Sequence, residues 1–115
     1  MVPSEDEIRT FLIEQYRLWS EDKIDEMMAL FRQMGRNGYT IEYVGSPPAD
    51  GEEVMATMIV EHGGKTHTEL RQIIVNGCEA ATVVDNISVA TGVTLPSIET
   101  YYFGDGTFNV RYFHN

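Results

Sequence analysis

The stretch from Thr66 to Phe113, THTELRQIIVNGCEAATVVDNISVATGVTLPSIETYYFGDGTFNVRYF, decides the fold. Apolar residues recur there at every second position, the pattern of a half-buried strand rather than of a helix. Two dipeptides punctuate it, Asn76-Gly77 and Asp105-Gly106. Both suit a tight hairpin, because a type I′ turn needs positive φ that Asn, Asp and Gly tolerate. The spacing predicts strands at about 66–76, 79–90, 97–104 and 107–113, with Thr91 to Pro96 as the longer connection.

Upstream the period lengthens to that of helices. Ile8, Phe11, Leu12, Tyr16 and Trp19 form one stripe over residues 4–20, and Ser4 followed by Glu7 is a capping box. Ser20 is placed to cap a second helix bearing Ile24, Met27, Met28, Phe31 and Met34, which stops at Gly35. After Asn37-Gly38 comes a β-rich run from Tyr39 to Val44, then Gly45-Ser46-Pro47-Pro48, which cannot continue a ladder. Asp50 with Glu53 opens a third helix carrying Val54, Met55, Met58, Ile59 and His62, closed by Gly63-Gly64. The order ααβαββββ predicts an α+β fold, with three helices on a curved, mostly antiparallel sheet.

One domain spanning residues 1–115 accounts for the length, and 43% hydrophobic with 23% charged residues is enough to build a core. The formal net charge is -10, concentrated in residues 1–61, which hold 13 acids against 5 bases. Nucleic acid and anionic membrane surfaces are therefore disfavoured as partners, since both are bound through Lys and Arg. Cys78 is the single cysteine and has no partner for a disulfide. The acidic start lacks the basic and apolar regions of a secretory signal, so a reducing, cytoplasmic location is expected. Asn86-Ile87-Ser88 then reads as a chance sequon inside a strand.

Three segments together resemble the nuclear transport factor 2-like superfamily, in its ketosteroid isomerase and SnoaL-like polyketide cyclase branch. They are Gln15-Tyr16 through Trp19 and Asp22 to Met28-Ala29-Leu30-Phe31, Ile41-Glu42-Tyr43-Val44-Gly45-Ser46-Pro47-Pro48 before Gly51, and Ser97-Ile98-Glu99-Thr100-Tyr101-Tyr102-Phe103-Gly104-Asp105-Gly106. The resemblance implies a cone-shaped α+β barrel enclosing one deep apolar pocket, and a homodimer joined through the outer sheet faces. It also implies a cofactor-independent isomerase or cyclase acting on a hydrophobic carbonyl compound of steroid, polyketide or terpenoid type. A non-catalytic small-molecule-binding or dimerisation module of the same fold is the alternative.

Ketosteroid isomerase pairs an Asp base with an oxyanion hole made of a Tyr and a protonated Asp. By resemblance Tyr16 matches the oxyanion Tyr, and Glu99 matches the protonated acid, one methylene longer. Where the family reads Glu-Asp-Pro-Val-Gly-Ser, this chain reads Glu42-Tyr43-Val44-Gly45-Ser46. The Asp is absent, and either Tyr43 or a shifted Glu42 takes its place, or nothing does.

His67 is then the best remaining proton acceptor, because a neutral imidazole titrates near pH 7. Alternation puts it with Glu69, Arg71, Ile73 and Val75, opposite Leu70, Gln72 and Ile74. Glu99 shares a face with Tyr101 and Phe103. On the strand before, Thr82, Val84, Asn86 and Ser88 share one face and Val83, Asp85, Ile87 and Val89 the other. The family register favours Asn86 as the inward polar group over Asp85. Tyr16, Glu99 and His67 are thus the expected catalytic residues. Trp19, Tyr43, Met58, Asn86, Tyr101 and Phe103 are the expected substrate contacts. His62, His67 and His114 are too scattered to predict a metal site, and no Gly-rich phosphate loop or nucleophile elbow occurs.

Overall fold

In the computed structural model, which describes residues 1–113, helices α1 and α3 start at a side-chain cap and α2 does not. Helix α1 (Glu5–Ser20) starts where Ser4 Oγ accepts from the Glu7 amide at 3.1 Å and the Glu7 carboxylate accepts from the Ser4 amide at 3.0 Å. Glu5, Asp6 and Glu7 in its first turn also suit the positive end of the helix dipole. Ser20 belongs to this helix and does not cap the next. Its hydroxyl donates to the Thr68 carbonyl at 3.0 Å and accepts from the Thr68 amide at 2.9 Å, satisfying backbone groups on the free side of an edge strand. Helix α2 (Ile24–Met34) begins after Asp22, at φ 60°, and has Lys23 as an N-cap without a side-chain bond.

Strand β1 (Tyr39–Tyr43) is followed by a two-residue strand β2 (Ala49–Asp50), which the sequence pattern does not reveal. Helix α3 (Gly51–His62) is capped by Asp50, whose carboxylate accepts from the Glu53 amide at 3.2 Å. Then come β3 (Thr66–Asn76), β4 (Glu79–Ser88), β5 (Thr94–Phe103) and β6 (Phe108–Phe113), with Gly77 and Gly106 at φ 62° and 67° in the two hairpin turns. Strand β5 takes in Pro96, because a backbone bond from the Ser88 amide to the Val93 carbonyl, 2.9 Å, closes the connection early. The six strands form one sheet in the order β2-β1-β6-β5-β4-β3, antiparallel except where β1 runs parallel to β6. This is the expected α+β class, with three helices on a curved mixed sheet.

One register expectation fails. Leu70 pairs with Val84 and Gln72 with Val83, so Arg71 stands in a bulge without a partner. The extra residue shifts the alternation by one. Thr66, Thr68 and Leu70 face inward before the bulge, and Ile73 and Val75 pack on the core after it. His67, Glu69, Gln72 and Ile74 face outward, so Ile73 and Val75 do not share a face with His67.

The core occupies one end of the sheet. Ile8, Phe11 and Leu12 of α1 and Met27 and Phe31 of α2 pack against Tyr39, Ile41, Phe103, Phe108 and Val110. Phe108 centres an aromatic cluster, stacked on Tyr39 at 4.8 Å and tilted against Phe11 at 5.4 Å. Each such ring stabilises the fold by about 1.5–3 kcal/mol through burial. Along every long strand the inward residues then change from core to cavity: Tyr39 and Ile41 to Tyr43, Phe108 and Val110 to Tyr112, Phe103 and Tyr101 to Glu99 and Ser97. No helix among the described residues is long and apolar enough to cross a membrane. His114 lies outside the described residues.

Candidate functional site

Helices α1, α2 and α3 close over the far half of the sheet without filling it. They leave a cavity of about 510 Å³, large enough for a small organic ligand. Its walls are mostly apolar, with Trp19, Met27, Phe31, Met55 and Met58 contributed by the helices. Exposed Glu61, His62 and Lys65, with Val93 of the β4–β5 connection and Leu95 at the start of β5, mark the mouth.

At the inner end lies Glu99, only 7% exposed. Its Oε1 accepts from the Tyr16 hydroxyl at 2.6 Å and from the Tyr101 hydroxyl at 2.7 Å. The two hydroxyls are 2.9 Å apart. Thr82 Oγ1 lies 2.7 Å from the Tyr16 oxygen, and Gln15 Nε2 donates to the Tyr101 oxygen at 2.9 Å. Each phenol has one proton, and Oε1 takes both. Oε2 has no partner among the described residues. Since no fully buried side-chain nitrogen or oxygen there is unpaired, Oε2 must touch open space, and the space Glu99 lines is the cavity.

Burial pushes the Glu99 carboxyl above its ordinary range, and the Tyr16 and Tyr101 hydrogen bonds pull it partly back. The phenols of Tyr16 and Tyr101 are driven well above theirs, first by burial and then by the neighbouring Glu99 charge. They remain neutral donors. A carboxyl of raised pKa with one oxygen fixed and the other facing an apolar cavity can exchange a proton with a bound molecule.

The structure brings Tyr16, Glu99, Trp19, Tyr43, Met58 and Asn86 to this cavity. Asn86 is inward, as the register predicts, but its amide is spent on the wall. Its Oδ1 accepts from Thr68 Oγ1 at 3.1 Å, while its Nδ2 donates to Ser97 Oγ at 3.1 Å and to the Leu95 carbonyl at 3.2 Å. Asp85 points outward to Arg71 at 2.7 Å. Tyr101 meets Glu99 from behind, and Phe103 is core, stacked on Tyr101 at 6.0 Å, so neither lines the cavity.

His67 is not at the site. It stands on the outer face, 3.7 Å from Glu69, because Thr68 takes the inward position between them. Sequence reasoning also passed over Gln15, Ser97 and Tyr112. Tyr112 was discoverable, since it lies on the same face as Phe108 and Val110 and directly opposite Glu99 across the β5–β6 ladder. Among the described residues no cluster of three or more His, Cys, Asp or Glu is placed to hold a metal ion.

No known family profile and no curated protein matches the sequence. Solved structures do match its shape. A nuclear transport factor 2-like protein of unknown function from Burkholderia xenovorans LB400 superposes with a TM-score of 0.77 at 15% identity, covering 97% of this chain and 85% of its own. A protein provisionally called a SnoaL-like polyketide cyclase from Jannaschia sp. CCS1 does so with a TM-score of 0.70 at 18% identity, covering 92% and 86%. A de novo designed protein with a curved β-sheet reaches 0.73 at 17% identity, covering 98% and 88%. The chain therefore has the nuclear transport factor 2-like fold. Because the same fold carries a cyclase name, no known function and a design, activity has to be argued from the cavity.

Proposed function

We infer that this chain, with its nuclear transport factor 2-like fold, is an isomerase or cyclase that moves a proton on a hydrophobic carbonyl compound, of steroid, polyketide or terpenoid type. The observation that carries the reading is Glu99, a buried carboxyl with Oε1 fixed by two phenols and Oε2 open to an apolar cavity. As a carboxylate, Oε2 takes a proton from the carbon beside the carbonyl. The electron pair of the C–H bond passes into an enolate, and Glu99 becomes the neutral acid that its buried setting favours. The proton then returns to another carbon, or the enolate carbon attacks a carbonyl within the same molecule and the alkoxide so formed takes the proton back from Glu99. With His67 outside and no Asp in the Glu42–Ser46 segment, Glu99 fills the role of base as well as acid. Tyr16 and Tyr101 act through it, as positioning residues. The SnoaL-like name of one structural neighbour is in keeping with this chemistry. Two copies would pair through the outer sheet face, where Ile74, Ile98 and Tyr102 stand exposed.

The test is exchange of the α-hydrogens of cyclohexanone in heavy water, followed by proton NMR. The wild-type chain is expected to accelerate it and Glu99→Gln to lose roughly 100-fold of that acceleration, the usual contribution of a positioned base. A cavity that binds the ketone in both forms without exchange would mark a non-catalytic binding module, the reading favoured if a lone carboxyl is not enough.

A further inference from the structure

An enolate needs a donor for its oxygen, and the phenol matched to that role by resemblance has none to give. Both Tyr16 and Tyr101 direct their single protons to Glu99 Oε1. Tyr112, which lines the cavity together with Tyr16 and Tyr43, is different. Tyr112 is the cross-strand partner of Glu99 on β6, so the two side chains start about 5 Å apart on the inward face. Its ring packs on Tyr43 at 5.4 Å, yet its hydroxyl has no hydrogen-bond partner among the described residues. No fully buried polar side-chain atom there is unpaired, so this hydroxyl also opens on the cavity that Tyr112 lines. A phenol in an apolar enclosure with its proton uncommitted is a preset donor. Ser97 also keeps its proton, but Asn86 anchors its oxygen to the wall and it lies a step nearer the mouth.

We propose that the Tyr112 hydroxyl is the group that holds the ligand's oxygen, beside Glu99 Oε2, and that Tyr16 only positions Glu99. The ligand is thereby specified as one whose enolisable carbon and carbonyl oxygen are presented together to two adjacent groups, a compact ketone end on an apolar body. The proposal rests on the proton-transfer reading for its mechanism, but the donor role can be measured separately.

The probe is p-nitrophenol, whose phenolate imitates the enolate oxygen and whose absorbance reports binding. The reference is p-nitrotoluene, which keeps the ring and lacks the oxygen. Tyr112→Phe deletes a hydroxyl with no internal bond, so the melting temperature should not fall. It should weaken phenolate binding roughly 10- to 100-fold, the range for a hydrogen bond to a charged group, and leave p-nitrotoluene unaffected. The same loss is expected in the Glu99→Gln background, where no carboxylate is present. Equal phenolate affinity with and without the hydroxyl in both backgrounds overturns the donor role, whatever Glu99 does.

The proton-transfer reading is tested by pH. Phenolate affinity of the wild-type chain should fall as Glu99 ionises, and Glu99→Gln should remove that fall. Its other titratable neighbours are Tyr112, Tyr16, Tyr101 and Tyr43 and the mouth residues Glu61, His62 and Lys65, all retained in the variant. An unchanged pH dependence overturns Glu99 as the proton carrier while leaving the Tyr112 result standing. A wild-type chain that binds phenolate no better than p-nitrotoluene overturns both.

Discussion

Glu99 is held between opposing effects. Burial disfavours its charge, and the Tyr16 and Tyr101 hydroxyls favour it, with burial the larger. The folded chain therefore holds this proton more tightly than the unfolded chain, in which a glutamate titrates at ~4.3. The sign of the linkage follows. The stabilisation from the protonated form is complete below that unfolded value and is lost as the pH rises through the raised folded value. Thermal unfolding of the wild-type chain should lose stability across that window relative to Glu99→Gln, which has no proton to release. Parallel curves for the two would contradict a raised carboxyl. At this scale the sequence was partly legible. Alternation from Phe103 back through Tyr101 puts Glu99 in aromatic company, but nothing in spacing says that two phenols converge on one of its oxygens, because one of them comes from α1, 83 residues away.

Helix α3 shows how an element depends on a neighbour that its own sequence does not mention. Asp50 announces its start, and Gly51 then looks like a residue to improve, since Ala is favoured over Gly in a helix by about 1 kcal/mol. The fold reverses that expectation. A Cβ on Gly51 would lie 2.1 Å from the Tyr39 ring and 2.8 Å from the Tyr39 carbonyl oxygen. Tyr39 in turn stacks on Phe108 and donates to Glu52, which pairs with Arg32 of α2 at 2.8 Å, so the ring has nowhere to go. Gly51→Ala is expected to destabilise by about 1–3 kcal/mol, the range for overpacking, as measured by urea unfolding. A stabilised variant would show that the ring yields. Helix stripes and hairpin turns were legible for the same reason that Gly51 was not: they are set by residues close in sequence, whereas the Tyr39 contact, the Arg71 bulge and the Ser20–Thr68 link are set by partners in other elements. The bulge is what misplaces Ile73 and Val75, beyond it, in a strict alternation. His67, before it, faces outward because the inward place beside it goes to Thr68.

Across the whole molecule, one sheet serves two purposes. Its long strands bury aromatic and aliphatic residues at one end and line a cavity at the other, and the helices that cap the core also roof the cavity. This division explains how a chain with net charge -10 can keep one carboxyl out of water: its other acids stand on helices, loops and outer faces, while Glu99 is 7% exposed at the junction of core and cavity. The α+β class was readable from the change of period at residue 65, but the parallel seating of β1 beside β6 was not, since sequence order says nothing of which edge an early strand joins. The proton-transfer account stands on the state of that single carboxyl. Its most direct test is a carboxyl-carbon NMR titration of Glu99, assigned with Glu99→Gln. The account predicts titration clearly above ~4.3, the ordinary glutamate value. A value at or below it would place Glu99 as a solvated or fully compensated carboxylate and contradict the account.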